Sequence, residues 1–441
     1  MKITLIGQDI PRLLPALLTD LLFACKADVE VAVEERNESM RDLLQRYGDA
    51  VAAKAGRGTI SLCAARGAAL EGADAVVYAG EPMAASRFRM DQEALSGADE
   101  GDEGLRDQAR TLGGLGGLMR TLRQGEAVYA LCDEMRERCP GAIVVSLGEP
   151  VARTVEMFRR GGFAAWGLTA GWRKGPGGLE WLCRKLRVPP EKLDAEAAGL
   201  PEFCFLTRMA DLRDGKDWLA GAMALAAEGE LGRLSKRWLA SLEALPVGNI
   251  PDHAAWMPAQ EDYAPDPNPA LSEPVEQRKE RIRRMNLVAE KGLADREGQA
   301  AQLLLLSGAP AQRPGQLALA LLRREDLTLD AAVRPNAKRA IQNLPLAAMV
   351  EAPLTLSAGV EQPEHILLPG PLAELCLDID ETSRLAAQAA AGDWSALREC
   401  VELDPALAGL DRLYLQEVVA RMIDLHRDIL SRWDDAEEEA Y

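Results

Sequence analysis

Residues 1–22 read MKITLIGQDIPRLLPALLTDLL, and the first dozen decide the fold. Residues 2–6 are a short apolar run suited to a buried strand, and Leu13 to Leu22 repeat their apolar positions at helical spacing. A strand, a glycine turn and a helix is how a dinucleotide-binding sheet sets its phosphate loop, ordinarily GxGxxG. Here the loop is Gly7-Gln8-Asp9-Ile10-Pro11-Arg12. The first glycine is present and an acid stands at the second. A carboxylate roughly 4 Å from a pyrophosphate charge opposes it by on the order of 4 kcal/mol at an effective dielectric near 20. Arg12 offsets part of that. The other role open to Asp9 is N-cap of the helix, with Pro11 in its first turn.

Strand and helix alternate outward from this loop. Strand candidates are 3–6, 29–33, 75–78 and 142–146, and helices fill 11–23, 38–53 and 126–138. That rhythm predicts a parallel sheet covered on both faces. Glu34 closes the second strand, where an acid bonds a ribose hydroxyl. Residues 93–118 are rich in Gly and acids and read as a long surface excursion. Residues 246–274 are Pro-rich and irregular. A charged helix covers 276–297, and further helices cover 381–391, 396–403 and 411–433. No internal repeat is visible. The expectation is an α/β chain in two domains: a Rossmann-like doubly wound parallel sheet over 1–195, then an α+β domain over 196–441.

Composition narrows the partners. The 441 residues carry a formal net charge of −18, with 48% hydrophobic and 27% charged residues. Such acidity argues against nucleic acid and anionic membrane surfaces as partners. Part of it is local, in the DDAEEE run at 434–439, which reads as a solvated tail. No apolar run approaches the roughly 18–20 residues of a spanning helix, and Gln8-Asp9 interrupts any signal-like core. The eight cysteines are scattered without a CxxC, which predicts reduced thiols and a cytoplasmic location. Three histidines, His253, His365 and His426, leave little material for imidazole chemistry.

A set of motifs in fixed order resembles glycoside hydrolase family 4, the NAD- and metal-dependent glycosidases, over almost the whole length. Gly80 to Asp91 resembles the family's Gly segment with Arg and Asp after the third strand. GGLGGLMRT, Gly113 to Thr121, resembles its GG-x5-RT. CPGAIVVSLGEP resembles a strand ending in TNP, and Gly167–Thr169 resembles GLC. GLPEFCFLTRMADLRDG has the layout of GLNH followed by DG. PNAKRAIQNLPLAAMVEAP resembles I-x-NLP…VE-x-P, and LPGPLAEL and Asp404-Pro405 complete the series. The family is an exception to two-carboxylate glycoside hydrolysis. The resemblance implies that bound NAD oxidises the sugar at C3. A divalent metal, usually manganese, polarises the ketone, a tyrosine takes the C2 proton, and the glycosidic oxygen leaves by elimination. Water then adds and NADH restores C3.

Carried over position by position, the resemblance implies a replaced site. Gly7, Asp9, Arg12, Glu34 and Gly80 stand at the cofactor-binding positions. The metal-binding cysteine of GLC falls on Thr169, whose hydroxyl is a poor substitute for a thiolate. The metal-binding histidine of GLNH falls on Glu202, an oxygen donor for hard cations, and its asparagine on Pro201. The asparagine of TNP falls on Glu149, which with Arg120 is assigned to the substrate pocket. The base tyrosine falls on Ala254, with His253 beside it and Tyr263 nine residues on as displaced candidates for the catalytic base. The sequence therefore predicts a family 4 homologue without the NAD- and manganese-dependent activity. It would be a relative that binds a sugar, a sugar phosphate or a partner protein, or a degenerate paralogue. The alternative is a divergent glycosidase of α- or β-glucosidase, galacturonidase or 6-phospho-glycosidase type that keeps NAD-dependent oxidation and elimination, or one with a rearranged site. A homodimer or homotetramer is implied as well.

Overall fold

The computed structural model describes residues 1–80, 84–96, 112–175, 177–256, 275–292 and 313–433. Among them, twelve strands join into one sheet. They are β1 Lys2–Ile6, β2 Glu30–Glu34, β3 Thr59–Cys63, β4 Ala75–Tyr78, β5 Ile143–Ser146, β6 Ala165–Gly167, β7 Leu193–Leu200, β8 Phe203–Asp211, β9 Leu245–Pro246, β10 Leu327–Pro335, β11 Met349–Ser357 and β12 Val360–Glu361. The order is β3-β2-β1-β4-β5-β6-β10-β11-β7-β8-β9, with β12 on β11. The first six strands run parallel. From the β6–β10 pairing onward the ladder is antiparallel. The parallel doubly wound half and the mixed second half are those the sequence implies. The sheet is continuous between the halves, and residue 195 lies inside β7, paired with Met209 of β8.

Side chains alternate across each parallel strand and feed two cores. Ile3, Leu5, Ala75, Val77 and Val145 pack with the helices Ile10–Leu18, Glu38–Ala55 and Pro314–Arg323. Ile6, Val76, Tyr78 and Val144 pack on the other face with Gly114–Arg138, Val151–Arg160 and Gly370–Ala389. No helix among the described residues is long and apolar enough to cross a membrane.

Several elements differ from the sequence reading, among them a strand, Thr59–Cys63, outside the strand candidates. The helix expected over 126–138 begins at Gly114. Its glycines are there for close packing, since a Cβ on Gly117 would lie 2.3 Å from Leu112 O and one on Gly125 2.6 Å from Ala390 Cβ. Of the supposed excursion, 93–96 end the helix Ala84–Ser96, 97–111 lie outside the described residues, and 114–118 open the helix Gly114–Arg138. The first helix stops at Leu18 and passes into a π-helical turn, Thr19–Ala24.

The C-terminal helix Arg412–Leu425 is tied to the parallel half through buried charge. Asp91, wholly buried, takes Arg123 Nη1 at 2.9 Å and lies 2.6 Å from His426 Nε2. Arg87 beside it pairs with Asp428. The Arg and Asp of the segment resembling the family's third-strand motif are thus committed to a tether.

Candidate functional site

The phosphate loop keeps the shape of a cofactor loop. A Cβ on Gly7 would stand 2.7 Å from Gly80 O, so the close approach of these two strand ends requires glycine there. Asp9 has φ 56, a left-handed conformation that Asp tolerates better than most residues. The cap reading of Asp9 needs correction. It occupies the N-cap position, yet its side chain makes no cap hydrogen bond. Its carboxylate instead lies 2.6 Å from Arg12 Nε. Pro11 at the start of the helix also removes one backbone N–H from the end that would face a pyrophosphate. At the end of β2, Glu34 accepts from Arg36 Nε at 3.0 Å, so an oxygen placed for a ribose hydroxyl is already engaged. These residues fit NAD poorly.

The second region is a cleft at the carboxyl ends of β5 and β6. Glu149 follows β5 and its side chain is 44% exposed, while Arg120 beneath it is 8% exposed. The pair meets at Nη1–Oε2 3.1 Å. Gln124 donates to Glu149 O at 3.0 Å and accepts from the Tyr78 hydroxyl at 2.6 Å. The exposed carboxylate is therefore fixed from below by buried polar groups on the helix Gly114–Arg138.

Glu202 sits in the two-residue turn between β7 and β8, where Leu200 pairs with Phe203. Its φ is 64, a conformation that usually belongs to Gly or Asn. The turn is anchored by Glu351 of β11, whose Oε2 accepts from Glu202 N at 2.9 Å. The same carboxylate takes the Thr169 hydroxyl on Oε1 at 2.5 Å. Thr169 Oγ1 accepts in turn from Gly171 N at 3.1 Å. Both positions that correspond to the family's metal ligands are thus held by one buried carboxylate, and the Thr169 hydroxyl spends its proton on Glu351 and a lone pair on Gly171 N.

Charge crowds this cleft. Burial raises Glu202 well above the carboxylate range, and Glu149, Asp252 and Glu351 push it further. Asp252 is pushed up to about 7, first by burial and next by Glu149, with Asn249 and Arg120 opposing. Burial also raises Glu351, against the hydrogen bonds from Thr169 and Glu202. Arg153, 1% exposed, donates Nη1 to Gly117 O at 3.1 Å and to Thr121 Oγ1 at 2.8 Å, and it lies over Trp256. Among the described residues, no three His, Cys, Asp or Glu side chains converge as a metal-holding group. The donors around Thr169 and Glu202 do not fit manganese held by the family's thiolate and imidazole.

The candidate bases separate. His253 is 1% exposed, with Nε2 2.8 Å from Cys204 O and Nδ1 3.4 Å from Asn249 O. Its ring packs on Phe203 and Phe205, and burial pushes its pKa down to about 4. It is a neutral imidazole inside the core. Ala254 is buried beside it, and Tyr263 lies outside the described residues. The structure brings Arg120, Glu149 and Glu202 into one neighbourhood. Gly7, Asp9, Arg12 and Gly80 gather at the neighbouring ends of β1 and β4, with Glu34 at the end of β2. Asp252, Glu351 and Arg153 escaped sequence reasoning. The signal for Glu351 was the VEAP that ends its motif, read as a landmark and not as a side chain, and Asp252 stands two residues before Ala254, the position read for the base.

Comparison with known proteins places this arrangement. The sequence model described as "Family 4 glycosyl hydrolase" matches residues 25–163. No curated protein matches the chain. Among solved structures, a 6-phospho-alpha-glucosidase from gut microorganisms, in complex with NAD and Mn2+, superposes with TM-score 0.71 at 16% identity, covering 97% of this chain and 98% of the other. A putative glucosidase, lplD, from Bacillus subtilis gives 0.69 at 18%, covering 96% and 99%. The 6-phospho-beta glucosidase of Thermotoga maritima, with NAD and glucose-6-phosphate, gives 0.68 at 14%, covering 97% and 99%. At these identities the structural likeness establishes the fold.

Proposed function

We propose that the chain is a member of glycoside hydrolase family 4, whose sequence model matches residues 25–163, that has left the family's NAD- and manganese-dependent reaction and binds a small sugar or sugar phosphate in the cleft of Arg120, Glu149 and Glu202. The observation that carries this reading is Glu351. Its two oxygens are taken by the Thr169 hydroxyl and the Glu202 N–H, at the two positions where the family places metal ligands. Without the metal, several kcal/mol of stabilisation of a C3 enolate is missing. The altered phosphate loop supports the same reading for NAD. A homodimer or homotetramer is the expected assembly, which light scattering tests.

Equilibrium dialysis against manganese, and calorimetric titration with NAD, are the direct tests. We expect well under one equivalent of metal and no NAD binding tighter than the high micromolar range. Nitrophenyl glycosides and their 6-phosphates, of either anomer, are expected to remain intact with both cofactors supplied. Stoichiometric manganese with turnover, and deuterium from solvent at C2 of the product, would refute the proposal.

One observation favours a second reading. Asp252 at about 7 stands near a Glu149 that is paired with arginine. Two carboxyls in unlike settings is the requirement for cofactor-free acid–base glycoside hydrolysis. Hydrolysis that persists in chelator without NAD, and is lost in Asp252→Asn, would select that reading over binding alone.

A further inference from the structure

A cavity with two arginines in its lining lies beyond the end of β6, beside the core that holds the helix Pro314–Arg323. Its volume is about 340 Å³, within the range of small-molecule sites. Trp172, Arg173, Arg313, Gln316 and Asp330 line it, and Thr169 at its edge is the residue it has in common with the Glu351 network, while Arg120, Glu149 and Glu202 are not in its lining. Its walls come from three separate elements: the segment after β6, the start of that helix, and the outer end of β10.

The donors are arranged rather than scattered. Arg173 lies over the Trp172 ring at 4.9 Å and donates Nε and Nη2 to Asp330 at 2.5 and 3.0 Å. The Trp172 indole N–H reaches Asp330 O at 3.4 Å, which fixes the ring edge. Arg173 is thus held in one plane from two sides, with Nη1 outside that fork. Arg313, at the start of the helix Pro314–Arg323, donates Nη1 to Gln316 Oε1 at 3.3 Å, and its charge also acts on the Asp20 carboxylate. The helix end does not need a ligand, because Asp20 Oδ2 accepts from Gln316 N at 2.8 Å. Among the described residues each guanidinium has more N–H groups than these acceptors take up, with Asp330 and Asp20 as the competing carboxylates. Two guanidinium groups approaching from different elements suit a tetrahedral oxyanion, which offers acceptors in several directions, better than a planar carboxylate.

We propose that this cavity binds the phosphate group of a small metabolite, through Arg173 and Arg313, at a site separate from the Arg120–Glu149 cleft. The inference is independent of what the cleft does. Inorganic phosphate is the probe, titrated calorimetrically into the whole protein at constant ionic strength, with acetate and chloride as comparisons. We expect saturable phosphate binding, with acetate at least tenfold weaker. Arg313→Gln, at an exposed position, should weaken phosphate at least tenfold, and Arg120→Gln, which alters only the cleft, should leave the binding that depends on Arg313 in place. Asp330→Asn removes the carboxylate that competes for Arg173 and should tighten phosphate several-fold, a gain that misfolding cannot mimic. No saturable phosphate binding, binding indifferent to Arg313→Gln, or binding lost in Arg120→Gln would each overturn the proposal.

Discussion

The phosphate loop and the carboxylate cleft part from the family pattern in opposite ways. At the loop the backbone is preserved and the anion-facing surface has changed: Asp9 takes a left-handed turn at φ 56, but its carboxylate and the N–H missing at Pro11 spoil the surface that an anion would meet. At the cleft the supporting group is present and the tips have changed: Glu351 still reaches both sides of the centre, and finds a threonine hydroxyl and a glutamate amide there. The loop is held by packing of strand ends, through Gly7 against Gly80. The cleft is held by hydrogen bonds to one buried acid. Shape set by backbone packing tolerates new side chains. Shape set by a single acceptor depends on what is offered to it.

Four experiments press on that contrast. The largest effect is expected from Glu351→Ala, which leaves the Thr169 hydroxyl and the Glu202 N–H without their acceptor. Buried groups left so cost about 1–3 kcal/mol each, so urea unfolding should show a loss of about 2–4 kcal/mol. Glu351→Gln, which retains an acceptor, should lose under about 1 kcal/mol. Equal stability of Glu351→Ala and the parent would end the claim that this acid supports the cleft.

Next comes pH. Asp252 is raised to about 7, and Asp20 and Asp380 to about 6, each chiefly by burial. A raised carboxyl stabilises the fold below its unfolded value of 3.8, and that contribution is lost as pH climbs through the folded value. His253 works the other way: its pKa falls from 6.5 to about 4, so its contribution is present above 6.5 and lost as pH drops toward 4. Three carboxyls outweigh one imidazole, so the melting temperature should fall by about 2–3 °C between pH 5.5 and pH 8. His253→Phe should steepen the fall, having removed the opposing term. A melting temperature that rises across this range would contradict the buried-acid account of the cleft.

A smaller gain is expected at Glu202. Replacing it with Asn relieves a left-handed glutamate and removes one of several crowded carboxylates. The left-handed conformation alone costs roughly 1–2 kcal/mol for an ordinary residue. Chemical denaturation should show Glu202→Asn about 1 kcal/mol more stable, and a loss instead would mean that the side chain holds the turn. The smallest effect is at the loop. Asp9→Gly should tighten NAD by about fivefold, close to 1 kcal/mol, because Pro11 and the Arg36-bound Glu34 remain. A gain of a thousandfold would show that Asp9 alone had closed an otherwise intact site.

The parallel half was legible because its signals are local. Apolar runs of strand length, a glycine after the first and an acid after the second need only a few neighbouring residues to read. The glycines of 113–117 misled, since a glycine that makes room for Leu112 and one that bends a loop look alike in sequence. The cleft was half legible. Thr169, Glu149 and Glu202 could be found by their place in motifs, and Arg120 by its own. Their condition could not, because burial from distant elements sets it: Asp252 is raised by Glu149 across more than a hundred positions, and Thr169 is claimed by Glu351, 182 residues away. His253 shows the same limit in reverse. A histidine next to the expected base looked available, and only the packing of Phe203 and Phe205 around it reveals a core residue.

The tether of Asp91 to His426 also sets a timetable. The two residues are 335 positions apart, whereas Arg123 follows Asp91 by only 32. A ribosome adding about 5–20 residues per second delivers His426 some 17–70 s after Asp91. During that interval the acid has to enter the interior of the first half with one partner of the final two, and Arg123 is the one already made. A nascent chain carrying Arg123→Met would leave Asp91 uncompensated for the whole interval. It should therefore engage chaperones during synthesis, although the finished protein would still offer His426 to the same carboxylate.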